Sequence, residues 1–184
     1  QDGRIHLHSG KDATHAQVWR IAAQSATSVT LALTLPDGMC GLPGHREITA
    51  TYRVSAPATL TLEIAGTTDA DTVMNFAQHG YWNMDGTADW TGHRLQIAAE
   101  HYLPIDTDAV PTGEIADVAG SLMDLRDGPA IDSKTHVFDH NFCLNGGAGP
   151  VRDVVWLTGT SGVQMVMATD QAGMQVFDGH TVPA

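Results

Sequence analysis

Two neighbouring stretches alternate between apolar and polar side chains, and this constrains the fold more than any single residue does. In residues 47–54, Ile48, Ala50, Tyr52 and Val54 fall on one side and Glu47, Thr49, Thr51 and Arg53 on the other. A period of two separates side chains in this way only on an extended strand with one buried face. Past Ser55-Ala56-Pro57-Ala58, Leu60, Leu62 and Ile64 alternate with Thr61 and Glu63, which predicts an antiparallel hairpin. Residues 28–35 repeat the pattern through Val29, Leu31, Leu33 and Leu35 and end at Pro36-Asp37-Gly38, a turn. A further hairpin is predicted from 153–158 and 163–168 around Gly159-Thr160-Ser161-Gly162, and only residues 120–136 lack strand character. Short strands separated by Gly and Pro predict an all-β fold, an antiparallel β-sandwich. With no repeat, linker or low-complexity tract, residues 1–184 read as a single domain.

Composition narrows the function. A net charge of -12 with nine Lys plus Arg argues against nucleic acid and anionic membrane surfaces, which need basic patches to replace counterions. It also disfavours phosphorylated sugars. Hydrophobic residues at 42% and charged ones at 16% are ordinary for a globular domain. No apolar run approaches the roughly 18 residues of a membrane helix. Cys40 and Cys143 cannot define a disulfide framework, and each reads as a buried free thiol with a structural role.

Asn75-Phe76-Ala77-Gln78-His79-Gly80-Tyr81-Trp82-Asn83-Met84 carries the chemistry. Amides, an aromatic pair and one titratable ring within ten positions suit a carbohydrate better than a core. Other segments flank it in order. Leu7-His8-Ser9-Gly10 with Trp19, Gly41-Leu42-Pro43-Gly44 with Thr51-Tyr52, and the stretch itself come first. Tyr102-Leu103-Pro104-Ile105-Asp106, Pro111-Thr112-Gly113-Glu114-Ile115, Phe138-Asp139-His140-Asn141-Phe142-Cys143-Leu144 and Gln171-Ala172-Gly173-Met174-Gln175-Val176-Phe177 follow. This series resembles the aldose 1-epimerases, or galactose mutarotases. The resemblance implies a galactose mutarotase-like supersandwich, here incomplete, because family members extend further at both ends. It implies a cytoplasmic enzyme, with a periplasmic one open while no natural N-terminus is in view.

The implied reaction interconverts the α and β anomers of a free aldose. A base takes the proton of the C1 hydroxyl, an acid protonates the ring oxygen, the ring opens to the aldehyde, and C1 rotates before closure. No cofactor or metal is required. Galactose, glucose, xylose and arabinose all remain candidate substrates, and the partner implied is a small-molecule monosaccharide. His79 matches the family's acid, a role suited to an imidazole with an ordinary pKa of about 6.5. His8, Asp139 and Gln175 match groups that bind sugar hydroxyls, with Ser9, Val137 and Ala172 departing from the family pattern beside them. Gln78 and Gly80 depart likewise beside His79. The family's base is a glutamate nearer the C-terminus than Ala184, and none of Glu47, Glu63, Glu100 or Glu114 matches it. Such a fragment is expected to be nearly inactive alone.

Two other readings stay open: a carbohydrate-binding β-sandwich without turnover, and a metal-dependent sugar isomerase using His6, His8 and a distal carboxylate. Residue type alone also allows a structural His79 and an ordinary turn pair at Asp139-His140. Trp82 and Trp90 suit either core or sugar stacking.

Overall fold

A computed structural model describes residues 5–181. The chain forms two compact units, Gln1–His79 and Gly80–Ala184. Every strand pair is antiparallel, and the fold is all-β.

The first unit is a sheet in simple sequence order: β1 (Arg20–Gln24), β2 (Ser28–Leu35), β3 (Arg46–Ser55) and β4 (Thr59–Thr68). β2 has the expected bounds, and β3 gains one residue at each end. β4 runs four residues beyond Ile64 because its pairing with β3 continues to Thr68 opposite Arg46, and Gly66, opposite Ile48, leaves room for the Met74 side chain. A Cβ at Gly66 would come 3.3 Å from Met74 Sδ. β1 shows no clear alternation, and all five of its residues are exposed. Backbone pairing to β2 makes it a strand, and no buried face does.

The β3 alternation is buried for only half its length. Ile48, Leu33 and Leu35 form a small core covered by Trp19, Met39 and Phe76. Farther along the same face Val54, Leu60 and Ile64 are exposed. Arg46 begins this apolar row and is 2% exposed. Its Nε donates to the Gly44 carbonyl at 3.1 Å, and Nη2 to the carbonyls of Met39 at 2.8 Å, Pro36 at 3.3 Å and Leu42 at 3.4 Å. A buried cation requires such acceptors, and here they gather the 36–44 loop around one guanidinium.

The second unit contains β5 (Arg94–Ile97), β6 (Ala99–Leu103), β7 (Ala116–Asp117), β8 (Asp139–Leu144), β9 (Arg152–Thr158), β10 (Gln164–Thr169) and β11 (Gly173–Phe177). They form two sheets, ordered β10-β9-β5 and β11-β8-β6-β7. One core joins them: Leu95, Ile97, Val155 and Leu157 from the first sheet meet Ala99, Phe142 and Leu144 from the second. This is a β-sandwich. The chain changes sheets at Ala98, whose N–H donates to Val154 O and whose carbonyl accepts from Asn145 N–H, both at 2.9 Å. Residues 120–136 contain no strand, as expected, yet supply Leu125 and Ile131 to the core; they are not alone in lacking a strand, because residues 69–93 also lie between β4 and β5 without one. Trp90 is core, its ring 5.9 Å from Phe138, whereas Trp82 is exposed.

Candidate active site

In the first unit the turn at Leu7–Asp12 brings His8 to His79. Their ring centroids lie 5.4 Å apart, edge to face, and the His15 ring stands 6.4 Å from that of His8. The turn needs three successive residues with positive φ: His8 at 51°, Ser9 at 62° and Gly10 at 71°. Only glycine adopts that region without steric cost, so position 9 has a physical reason to favour glycine and Ser9 bears strain. The turn is tied to the 36–44 loop, because Cys40 Sγ donates to the Asp12 carbonyl at 3.2 Å. His79 reaches its position through Phe76, packed on the Leu33, Leu35 and Ile48 cluster. His6 lies against Gly10, where a Cβ would come 3.5 Å from the His6 Nε2. Among the described residues, no three His, Cys, Asp or Glu side chains converge as a metal site.

In the second unit β8 and β11 divide their side chains by face. His140, Phe142, Leu144, Met174 and Val176 turn toward the core, and Asp139, Asn141, Gln175 and Phe177 share the opposite face, with Asp139 across from Phe177 and Asn141 across from Gln175. Gln175 Nε2 donates to Asp139 Oδ1 at 2.9 Å. Gly173 belongs to the same face because of close approach, since a Cβ there would come 2.6 Å from Asn141 Oδ1. Partial burial lowers the His140 pKa and favours its neutral ring.

Tyr81 stands edge-on to Phe177 at 6.1 Å, and Phe177 to His180 at 5.6 Å. His180 Nδ1 bonds Asp178 Oδ1, and Asp178 Oδ2 accepts the Phe138 N–H at 3.1 Å. Sequence reasoning missed Asp178 and His180, for which adjacency to Gln175 is the only signal. Asn83, by contrast, serves its own turn: Oδ1 accepts from the N–H groups of Asp85 and Gly86, and Nδ2 donates to Thr87 O. Asp85 continues this frame. Its carboxylate accepts four bonds, from the backbone N–H and hydroxyl of both Thr160 and Ser161. These donors, Ser161's hydroxyl foremost, hold its pKa far below the usual carboxylate range. Fully buried His93 accepts the Met84 N–H on Nε2 at 3.0 Å, so its ring proton sits on Nδ1, 3.7 Å from Asp85 Oδ2.

Two of the four glutamates are engaged in pairs of their own. Glu47 accepts from Thr34 and pairs with His45, and Glu100 pairs with Arg126 at 2.9 Å. Both cysteines are free thiols, half-buried where full burial was expected.

Antiparallel sheets with a polar strand face and a histidine cluster set the chain among β-sandwich proteins. It belongs to the aldose 1-epimerase family, whose family model matches residues 1–184. Aldose 1-epimerase of Escherichia coli K12 is 30% identical over 190 residues, covering 97% of this chain and 55% of that protein. Human galactose mutarotase is 31% identical over 181 residues, covering 95% and 52%. The crystal structure of an aldose epimerase homologue from C. elegans superposes with a TM-score of 0.85 at 21% identity over 93% of this chain and 54% of that one. That of galactose 1-epimerase from Lactobacillus acidophilus gives 0.70 at 28% identity, covering 84% and 48%. The chain thus spans about half the length of the relatives it matches. Among the described residues, no helix is long and apolar enough to cross a membrane.

Proposed function

We propose that the protein carrying this chain interconverts the α and β anomers of a neutral aldose, with residues 1–184 contributing the acid and part of the sugar-binding surface. The observation that carries this reading is the meeting of His8 and His79, 71 positions apart in sequence, with rings 5.4 Å apart. Both fall in stretches that resemble motifs of the aldose 1-epimerases.

On this reading His79 donates a proton to the ring oxygen as the C1–O5 bond breaks. A base removes the C1 hydroxyl proton, and that oxygen's electrons form the aldehyde. After rotation about C1–C2 the steps reverse, so His79 takes its proton back. His8 hydrogen-bonds sugar hydroxyls. Asp139 accepts from others, and its bond to Gln175 at 2.9 Å aligns the pair. The net charge of -12 supports neutral sugars over sugar phosphates. Free thiols at Cys40 and Cys143 support the cytoplasm as the compartment.

Polarimetry on freshly dissolved α-D-galactose and α-D-glucose tests the proposal. The full-length protein should accelerate the approach to equilibrium, and His79→Asn should lower kcat by roughly 10² to 10⁴-fold while largely preserving sugar affinity. A fully active His79→Asn protein would remove the acid assignment. Sugar binding without acceleration would leave a carbohydrate-binding module.

A further inference from the structure

The outer face of the β10-β9-β5 sheet carries a second group of side chains with its own chemistry. Leu95, Ile97, Val155 and Leu157 of these strands enter the core, so the alternate positions Arg94, Gln96, Trp156 and Thr158 point away from it. Pairing makes them neighbours: Gln96 lies opposite Trp156, and both Arg94 and Gln164 lie opposite Thr158. They line a cavity of about 170 Å³, walled on one side by Asp127. None of them belongs to the His8, His79, Asp139 and Gln175 set.

The cavity is built, not incidental. Gln96 Nε2 donates to the Arg126 carbonyl at 2.9 Å and Gln164 Nε2 to Thr158 Oγ1 at 2.9 Å, so both amides are oriented and each has a carbonyl oxygen to offer as acceptor. The wall approaches so closely that a Cβ at Gly128, where φ is 61°, would come 3.3 Å from Gln96 Cβ. Glycine therefore suits that position on both conformation and space.

The lining selects a ligand class. Arg94 and Asp127 cancel in charge, which in a chain of net charge -12 leaves no preference for an anion. Half-buried Trp156 presents an indole to the apolar C–H face of a ring. Amides, a guanidinium, a hydroxyl and a carboxylate supply donors and acceptors around its edge. A volume of about 170 Å³ lies below the roughly 300 Å³ at which pockets for drug-sized ligands begin, and accommodates one sugar ring. We infer that this face is a second carbohydrate site, built on Trp156, for a single pyranose ring, either a free monosaccharide or the end of a glycan.

The test is ¹H–¹⁵N correlation spectroscopy of the full chain, with the Trp156 indole signal assigned by Trp156→Phe. D-glucose, D-galactose and cellotetraose are titrated separately, with inorganic phosphate as the anion control. The expected result is a saturable shift of the Trp156 indole and of the Gln96 and Gln164 side-chain amides. Equal response to all three sugars points to a free ring, and a preference for cellotetraose to a glycan end. Trp156→Ala should weaken the site about tenfold or more, without changing the rate of anomer interconversion in the full-length protein. Gln164→Ala, at an exposed position, repeats the test should Trp156→Ala fail to fold. An indole signal unmoved by every sugar, a stronger response to phosphate, or unchanged sugar shifts in Gln164→Ala would overturn the inference.

Discussion

Replacing Arg46 with methionine should cost the first unit about 2–3 kcal/mol, a figure that follows from where its four acceptors turn for other donors. Two of the contacts are short, at 2.8 and 3.1 Å, and two are long, at 3.3 and 3.4 Å. Hydrogen bonds to a charged group contribute roughly 1.5–3 kcal/mol each, so the short pair alone corresponds to about 3–6 kcal/mol. Two effects reduce this. The carbonyls of Pro36, Met39 and Leu42 keep backbone donors from Met39, Leu42 and Gly38 at 3.1, 3.2 and 3.1 Å. A methionine also has no charge to desolvate inside the unit. Arg46→Lys should do no better, because a single ammonium must still be desolvated and cannot reproduce the fork that reaches Gly44 and Met39 together. Urea unfolding at an unchanged m-value measures the loss. Hydrogen exchange should quicken at residues 36–44 and, through the Cys40–Asp12 bond, at Ser9 and Gly10. A loss below about 1 kcal/mol, or exchange unchanged in both segments, would refute the reasoning.

Ser9→Gly should stabilise the chain by about 0.5–1 kcal/mol, relief of a left-handed backbone offset by the extra freedom of glycine when unfolded, measured as a rise in urea midpoint. Gln175→Leu should raise KM about tenfold with little change in kcat, since it removes one hydrogen bond to a carboxylate; polarimetry of the full-length protein across sugar concentration separates the two. Asp85→Asn should destabilise at pH 7 by weakening the clamp on Thr160 and Ser161. Because the folded pKa of Asp85 is depressed, its contribution is complete above the unfolded value of about 3.9 and fades as pH falls toward the folded one. Wild type and Asp85→Asn should therefore converge in urea midpoint as pH drops below about 4, and a gap that widens on acidification would contradict the sign.

Periodicity and spacing determined a great deal of this protein by themselves. β2 and β3 follow from a two-residue alternation because the polypeptide has only one extended geometry that sorts side chains so, and β9 and β10 follow from the Gly159-Thr160-Ser161-Gly162 turn between two strand-like runs. The motifs around His8, His79, Asp139 and Gln175 are equally local, and so legible in order along the chain. What tertiary structure decided depends on pairing across long separations. β1 exists because β2 offers it an edge, and nothing in Arg20–Gln24 itself demands a strand. Arg46 stands in an apolar row and is tolerated only because the 36–44 loop folds back its carbonyls, an arrangement no window of sequence contains. The meeting of His8 with His79 requires a left-handed turn at one end and a Phe76 anchor at the other. Asp85 finds its four donors 75 and 76 residues away, and Tyr81 meets Phe177, nearly a hundred positions on, only in the folded unit. Side chains that contact distant partners leave no periodic trace, because their constraint is spatial and each local sequence is compatible with many arrangements.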